Sequence, residues 1–259
     1  MNASVDLERL ARDHRSVLKE EPATTVEVLG RGEAAVVRKT YRNLGTRWVQ
    51  TFGRRARAER EFTNLRAVAA LGVRCTEAVV WSARRRFGCV DESTLVTTFL
   101  PDSRTLKHVL GELPRGAAWR TRAALATAMG RLVAQLHRGG LVWGTPMPRN
   151  VLVLGDAAAA SLAVCDTPAA MRTGRSVHGT WLGALDVFAA AMSKSRKKDF
   201  SATERWRWLV AYADGDRRLA RRLWRGLSRR PHFVHDALRA VAMTWFTYVR
   251  PARGSNDLP

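Results

Sequence analysis

The apolar residues of this chain change their period once, and the change falls at Leu100-Pro101-Asp102-Ser103. Before it, short β-branched runs alternate with turn residues; after it, apolar side chains recur three and four apart. A strand-rich first part followed by a mostly helical second part predicts an α+β chain of two lobes. Residues 25–41, TVEVLGRGEAAVVRKTY, read as strand, glycine-containing turn and strand. In the run RARAEREFTNLRAVAALGV that follows later, Phe62, Leu65, Val68 and Ala69 sit at helical spacing and Gly72 supplies a stop. Residues 79–81, 87–90 and 93–99 read as further short strands.

Beyond the break, Leu125, Met129, Leu132, Val133 and Leu136 mark one face of a long helix that ends at Gly139-Gly140. Two strands are expected at 150–154 and 162–165, joined through Gly155-Asp156, with the Ala157 to Ala160 run in the turn. Trp181, Leu185, Phe188 and Met192 mark another helix. Basic amphipathic helices follow at about 203–212 and 216–227. These readings divide the chain into an N-terminal extension (1–24), a first lobe (25–101), a second lobe (102–250) and a tail (251–259).

Composition narrows the class. At 259 residues and 46% hydrophobic content the chain can bury a sizeable core. No run approaches the roughly 20 apolar residues of a membrane-spanning helix. The first 21 residues are charged throughout, so no secretory signal is expected. Cys75, Cys89 and Cys165 are odd in number and scattered, which suits a reducing cytoplasm and neither a disulfide framework nor a zinc site. His14, His108, His137, His178, His232 and His235 show no zinc-ligand spacing either; His137 reads as a packing or hydrogen-bonding residue. Charge is the extreme value: 44 Lys and Arg against 23 acids, a formal net charge of +21. Such a chain is drawn to nucleic acid, an anionic bilayer or a phosphorylated sugar-lipid. The arginines are spread along the chain, so a solvated basic surface explains the same number.

Several residues occur in an order that phosphoryl transfer requires. Gly30-Arg31-Gly32, between two strands, would let backbone N–H groups approach phosphates, although an ordinary hairpin reads the same way. Lys39, on the following strand, is placed to pair with the phosphates of ATP, and Glu61, on the first helix, to hold that lysine. Either is equally a solvated charge when taken alone. A loop ending in Asn150 precedes one strand, and Asp166 ends the next. Their oxygens suit Mg²⁺, while a turn-capping aspartate is the plain alternative for Asp166.

RAEREFTNLRAVAALGV, STLVTTFLPDSRTL and LHRGGLVWGTPMPRNVLV together resemble the Kdo/heptose lipopolysaccharide kinases, the WaaP-like group, and the stretch from LDVFAAAM to RRLARRLW resembles that group's C-lobe. The resemblance spans roughly residues 25–230. It implies a bacterial protein-kinase-like fold that phosphorylates inner-core sugars of lipopolysaccharide with ATP and Mg²⁺. By the same match Lys39 is the phosphate-binding lysine, Glu61 its helix partner, Asn150 and Asp166 the metal ligands, and Asp186 a brace for the catalytic loop. A sugar-lipid acceptor implies a cytoplasmic protein that can sit peripherally at the inner membrane.

The departures are as informative. Where family loops read His, any residue, Asp, this chain has Trp143, Gly144 and Thr145, so the expected base is a threonine. Thr167-Pro168 replaces the usual Phe-Gly after the metal aspartate. General-base assistance is worth about 10²–10⁴ in rate, so a weak kinase is expected. Two other readings stay open. One is a pseudokinase that responds to nucleotide without turnover; the other is a nucleic-acid-binding protein on the same scaffold, with Trp206 and Trp208 stacking on bases. The second of these lacks any nucleic-acid-recognition signature.

Overall fold

Strands β1 (Arg15–Glu21), β2 (Thr24–Leu29), β3 (Val36–Arg42), β4 (Ala78–Arg86) and β5 (Cys89–Thr98) form one antiparallel sheet in the order β1-β2-β3-β5-β4. The computed structural model describes residues 6–188 and 199–229. Met192, His232, His235 and the tail 251–259 lie outside the described residues. The chain divides into two compact units, Met1–Ser103 and Arg104–Pro259.

Residues 15–21, assigned from sequence to an extension ahead of the first lobe, are the edge strand of this sheet. Arg-Ser-Val-Leu-Lys-Glu-Glu carries no apolar alternation because nearly all of it faces solvent. Its attachment is electrostatic as well as through the ladder. The Glu27 carboxylate on β2 accepts from Arg15 at 2.6 Å and from Arg38 on β3 at 2.9 Å. Burial pushes the Glu27 carboxyl up, but Arg38 and Arg15 outweigh it and hold the group below the usual carboxylate range.

Helix α1 (Leu7–Asp13) packs on β2, and the short α2 (Thr46–Val49) precedes α3 (Arg57–Ala70). α3 lays Ala58, Leu65 and Val68 inward, with Leu65 packed in a cluster with Tyr41 and Leu95. Each fully buried side chain of that size contributes about 1.5–3 kcal/mol. Of residues 87–90, Cys89 and Val90 open β5 as expected, and the first two differ. Phe87 and Gly88 take positive φ of 50° and 77° and turn the chain between β4 and β5, so that Phe87, an apolar residue, is exposed.

In the second unit, β6 (Ser103–Thr105) leads into α4 (Leu106–Glu112) and then α5 (Trp119–Arg138). After α5 come β7 (Leu141–Val142), β8 (Val151–Leu154), β9 (Leu162–Val164) and β10 (Met171–Arg172). β8 lies between β6 and β9, while β7 pairs with β10. Helices α6 (Trp181–Val187), α7 (Ala202–Tyr212) and α8 (Arg217–Arg229) follow. α5 and α7 cross so closely at Gly130 that a Cβ there would lie 2.3 Å from the Trp208 carbonyl oxygen. Only glycine fits.

One buried ion pair fastens these helices. The Arg122 guanidinium, 1% exposed, donates to both Glu204 carboxylate oxygens, to the carbonyls of Leu110 and Leu113 at the end of α4, and to the Asp199 carbonyl. Glu204 also closes a capping box with Ser201 at the start of α7. Burial pushes the Glu204 carboxyl up, and the Arg122 bonds bring it below its ordinary value.

Candidate functional site

Two groups of candidate residues assemble, one in each unit. In the first, β3 pairs residue for residue with β2 and β5, placing Lys39 between Val26 and Leu95. Side chains on a strand alternate, so Lys39 and Tyr41 point to the same face, toward α3. Both reach Glu61. The Lys39 amine lies 2.6 Å from Glu61 Oε1, and the Tyr41 hydroxyl donates to Oε2 at 2.6 Å. Glu61 is wholly buried, and the Arg57 guanidinium covers the Tyr41 ring at 4.2 Å. A buried carboxylate persists only when its oxygens are met in this way. Tyr41 was not singled out from sequence, although its two-residue spacing from Lys39 is the signal that finds it.

Tyr41→Phe removes a charge-assisted hydrogen bond from that buried carboxylate. We expect a loss of about 1.5–3 kcal/mol in urea unfolding. A change near zero would show that Lys39 alone satisfies Glu61.

At Gly30 the glycine turn follows the plainer of its two readings. The Gly30 N–H donates to the Leu10 and His14 carbonyls at 3.1 and 3.0 Å, so it is committed to α1 and not presented to a ligand. Gly30 has a φ of +78°, and a Cβ there would meet Leu10 at 2.8 Å, so its glycine serves packing. Gly32, with open space around it, starts a single 3-10 turn, Gly32–Ala34.

In the second unit the loop between β7 and β8 is held from beneath by Asp186 of α6. Its Oδ2 accepts from the Trp143 N–H at 2.8 Å and its Oδ1 from the Gly144 N–H at 2.9 Å. His137 Nε2 lies 3.1 Å from the same Oδ2. A carboxylate only accepts, so Nε2 carries a proton and Nδ1 is the acceptor for the Tyr212 hydroxyl at 2.8 Å. Burial pushes the Tyr212 phenol pKa up, which keeps that hydroxyl a donor. The relay Tyr212–His137–Asp186–loop lies entirely within the protein interior.

The loop's own residues are tied crosswise. Trp143, fully buried, donates its indole N–H to the Asp166 carbonyl at 2.9 Å, joining the loop to the residues after β9. Asn150 Nδ2 donates to the Thr145 carbonyl at 2.9 Å. That bond fixes which end of the amide is which, and leaves Oδ1 as the oxygen suited to a hard cation. The Thr145 hydroxyl is buried with no hydrogen-bond partner. Asp156 stays in the far turn, where it caps Ala157–Ala159.

Other candidates separate from these groups. Trp208 is fully buried and stacks on Tyr212, and Trp206 meets Trp224 edge to face, so the base-stacking reading of this pair fails for Trp208. Among the described residues no cluster of His, Cys, Asp and Glu forms a metal site of three or more ligands. Two surface grooves of about 440 and 430 Å³, one between the end of α3 and β4 and one beside Trp119 on α5, include none of the site residues.

A solved structure, "WaaP in complex with acyl carrier protein", superposes with a TM-score of 0.56 over 93% of this chain and 92% of that one, at 18% identity. The fold is therefore of the kinase-like class. The model of the lipopolysaccharide kinase (Kdo/WaaP) family matches residues 7–173, more than half of the sequence, and the chain belongs to that family. No curated protein matches it.

Proposed function

We propose that this chain binds MgATP and transfers the γ-phosphoryl group to a sugar hydroxyl of a lipopolysaccharide-type acceptor, slowly, because Thr145 stands where the family carries its base. The observation that carries the reading is the buried Lys39–Glu61 pair: an amine held at 2.6 Å by a fully buried carboxylate in a chain of a kinase family. Phosphoryl transfer leans on positioning and charge more than on covalent help from the protein. In this reading Lys39 engages the nucleotide phosphates and Glu61 with Tyr41 keeps its amine in place. Asn150 and Asp166 would hold Mg²⁺, which neutralises phosphate charge when bound. The acceptor oxygen forms the new P–O bond, ADP leaves with the electrons of the old one, and the hydroxyl proton passes to the transferred phosphoryl oxygens and then to solvent.

The test is ADP release in the presence of core-sugar acceptors, beside Lys39→Ala and Asp166→Ala. We expect measurable turnover in the parent and a loss of at least about 100-fold in each variant. Absence of turnover with every acceptor at high enzyme concentration would overturn it. The buried Thr145 hydroxyl favours a second reading, a nucleotide-responsive protein without transfer. Its signature is a MgATP-dependent rise in thermal midpoint with no phosphate release.

A further inference from the structure

We infer that α8 is an electrostatic membrane-docking helix, whose exposed arginine face lies against a bilayer rich in anionic phospholipid. Arg217, Arg218, Arg221, Arg222 and Arg225 are all exposed. At 3.6 residues per turn they fall within an arc of about 140° and run about 12 Å along the axis. The opposite arc carries Ala220 and Leu223, both buried, and α8 packs on α7. The helix itself contains no acid. Asp216, at its start, accepts from the backbone N–H groups of Arg218 and Leu219.

This division decides the mode of binding. An amphipathic helix that inserts into lipid needs a free apolar face. Here the apolar side is spent on α7, which leaves guanidinium groups to meet headgroup phosphates by paired hydrogen bonds. Trp224, the aromatic ring of the helix, lies edge-on to Trp206 with the Arg205 guanidinium over it, and so does not offer a stacking platform for bases. Among the described residues no helix is long and apolar enough to cross a membrane. Attachment through α8 supplies a peripheral route to a lipid-borne acceptor. The choice of a bilayer over other polyanions rests on the function proposed above; the arginine face itself does not.

Sedimentation with phosphatidylglycerol-phosphatidylcholine vesicles, without nucleotide, reads this independently of turnover. The parent protein is expected to bind these vesicles, to ignore pure phosphatidylcholine, and to dissociate as salt shortens the screening length. Each arginine contributes about five-fold to partition, so Arg217→Gln/Arg218→Gln/Arg221→Gln/Arg222→Gln should lose several hundred-fold. A control of equal charge, Arg47→Gln/Arg84→Gln/Arg86→Gln/Arg172→Gln, removes exposed arginines elsewhere and should retain most of the binding. Vesicle binding unchanged in the α8 variant, an equal loss in the control, or tighter binding to single-stranded DNA or polyglutamate than to anionic vesicles would each overturn the assignment. A catalytically silent protein that still binds vesicles through α8 would refute the kinase reading and leave this one standing.

Discussion

Asp186→Ala should lower the stability of the second unit by about 3–5 kcal/mol and abolish the order of the loop between β7 and β8. The magnitude follows from what the carboxylate accepts. Two backbone N–H groups, of Trp143 and Gly144, and the His137 ring N–H all end on it, and all three donors are buried. Alanine leaves them without an acceptor, and each unsatisfied buried donor costs about 1–3 kcal/mol. Asp186→Asn is the informative companion. Its single amide oxygen, placed at the Oδ2 position, keeps the two bonds from Trp143 and His137, while its NH₂ faces the Gly144 N–H. About half the cost is expected, with the loop still formed. Urea unfolding followed by tryptophan fluorescence checks both, since Trp143 sits in the affected loop. A loss under about 1 kcal/mol for the alanine variant would mean that the loop is held by the chain on either side of it and not by Asp186.

Why much of this was legible in sequence is itself physical. The α3 pattern, the α5 pattern and the Gly139-Gly140 stop are local signals, because a helix face repeats within one turn. Lys39 and Glu61 were readable as types at a plausible distance, but their meeting needed β3 and α3 to pack. Asn150 and Asp166 stand out in sequence because each sits beside a short apolar strand, and their sharing of a cation belongs to the proposal above. Asp186 was placed as a brace only through family resemblance, and its three hydrogen bonds give that placement its physical content.

The parts that escaped sequence have a common cause. Arg15–Glu21 is an edge strand with almost no buried side chain, so it carries no hydrophobic alternation to detect. Tyr212 reaches His137 across 75 positions of chain, and neither residue signals the other. Arg122 and Glu204, 82 apart, carry no local sign of each other and are buried together. Gly30 left a phosphate turn and an ordinary hairpin both open, because a glycine at a turn looks the same whether it leaves room for a ligand or for Leu10. In each case the missing information is which distant surface packs against the residue.

Thr145→Asp should raise the rate of phosphoryl transfer by about 10²–10⁴, equivalent to roughly 3–5 kcal/mol of barrier. The backbone is already prepared for it. The Thr145 carbonyl accepts from Asn150 Nδ2 and from the Met147 N–H, and neither bond involves the side chain. The threonine hydroxyl is buried and meets no partner, so it contributes nothing that a carboxylate would displace. Thr145→Ala should therefore change the rate by less than about two-fold, a null result that a working hydroxyl could not give. The aspartate brings a desolvation cost, seen as a lowered thermal midpoint, because residue 145 is partly buried. Its gain should vanish as pH falls through the carboxylate range, about pH 4, since a protonated acid accepts no proton. If Thr145→Asp binds MgATP as the parent does and yet stays silent with every acceptor, the missing base is not what limits this protein. The limit would then lie in acceptor binding, and the reading as a nucleotide-responsive protein without transfer would take its place.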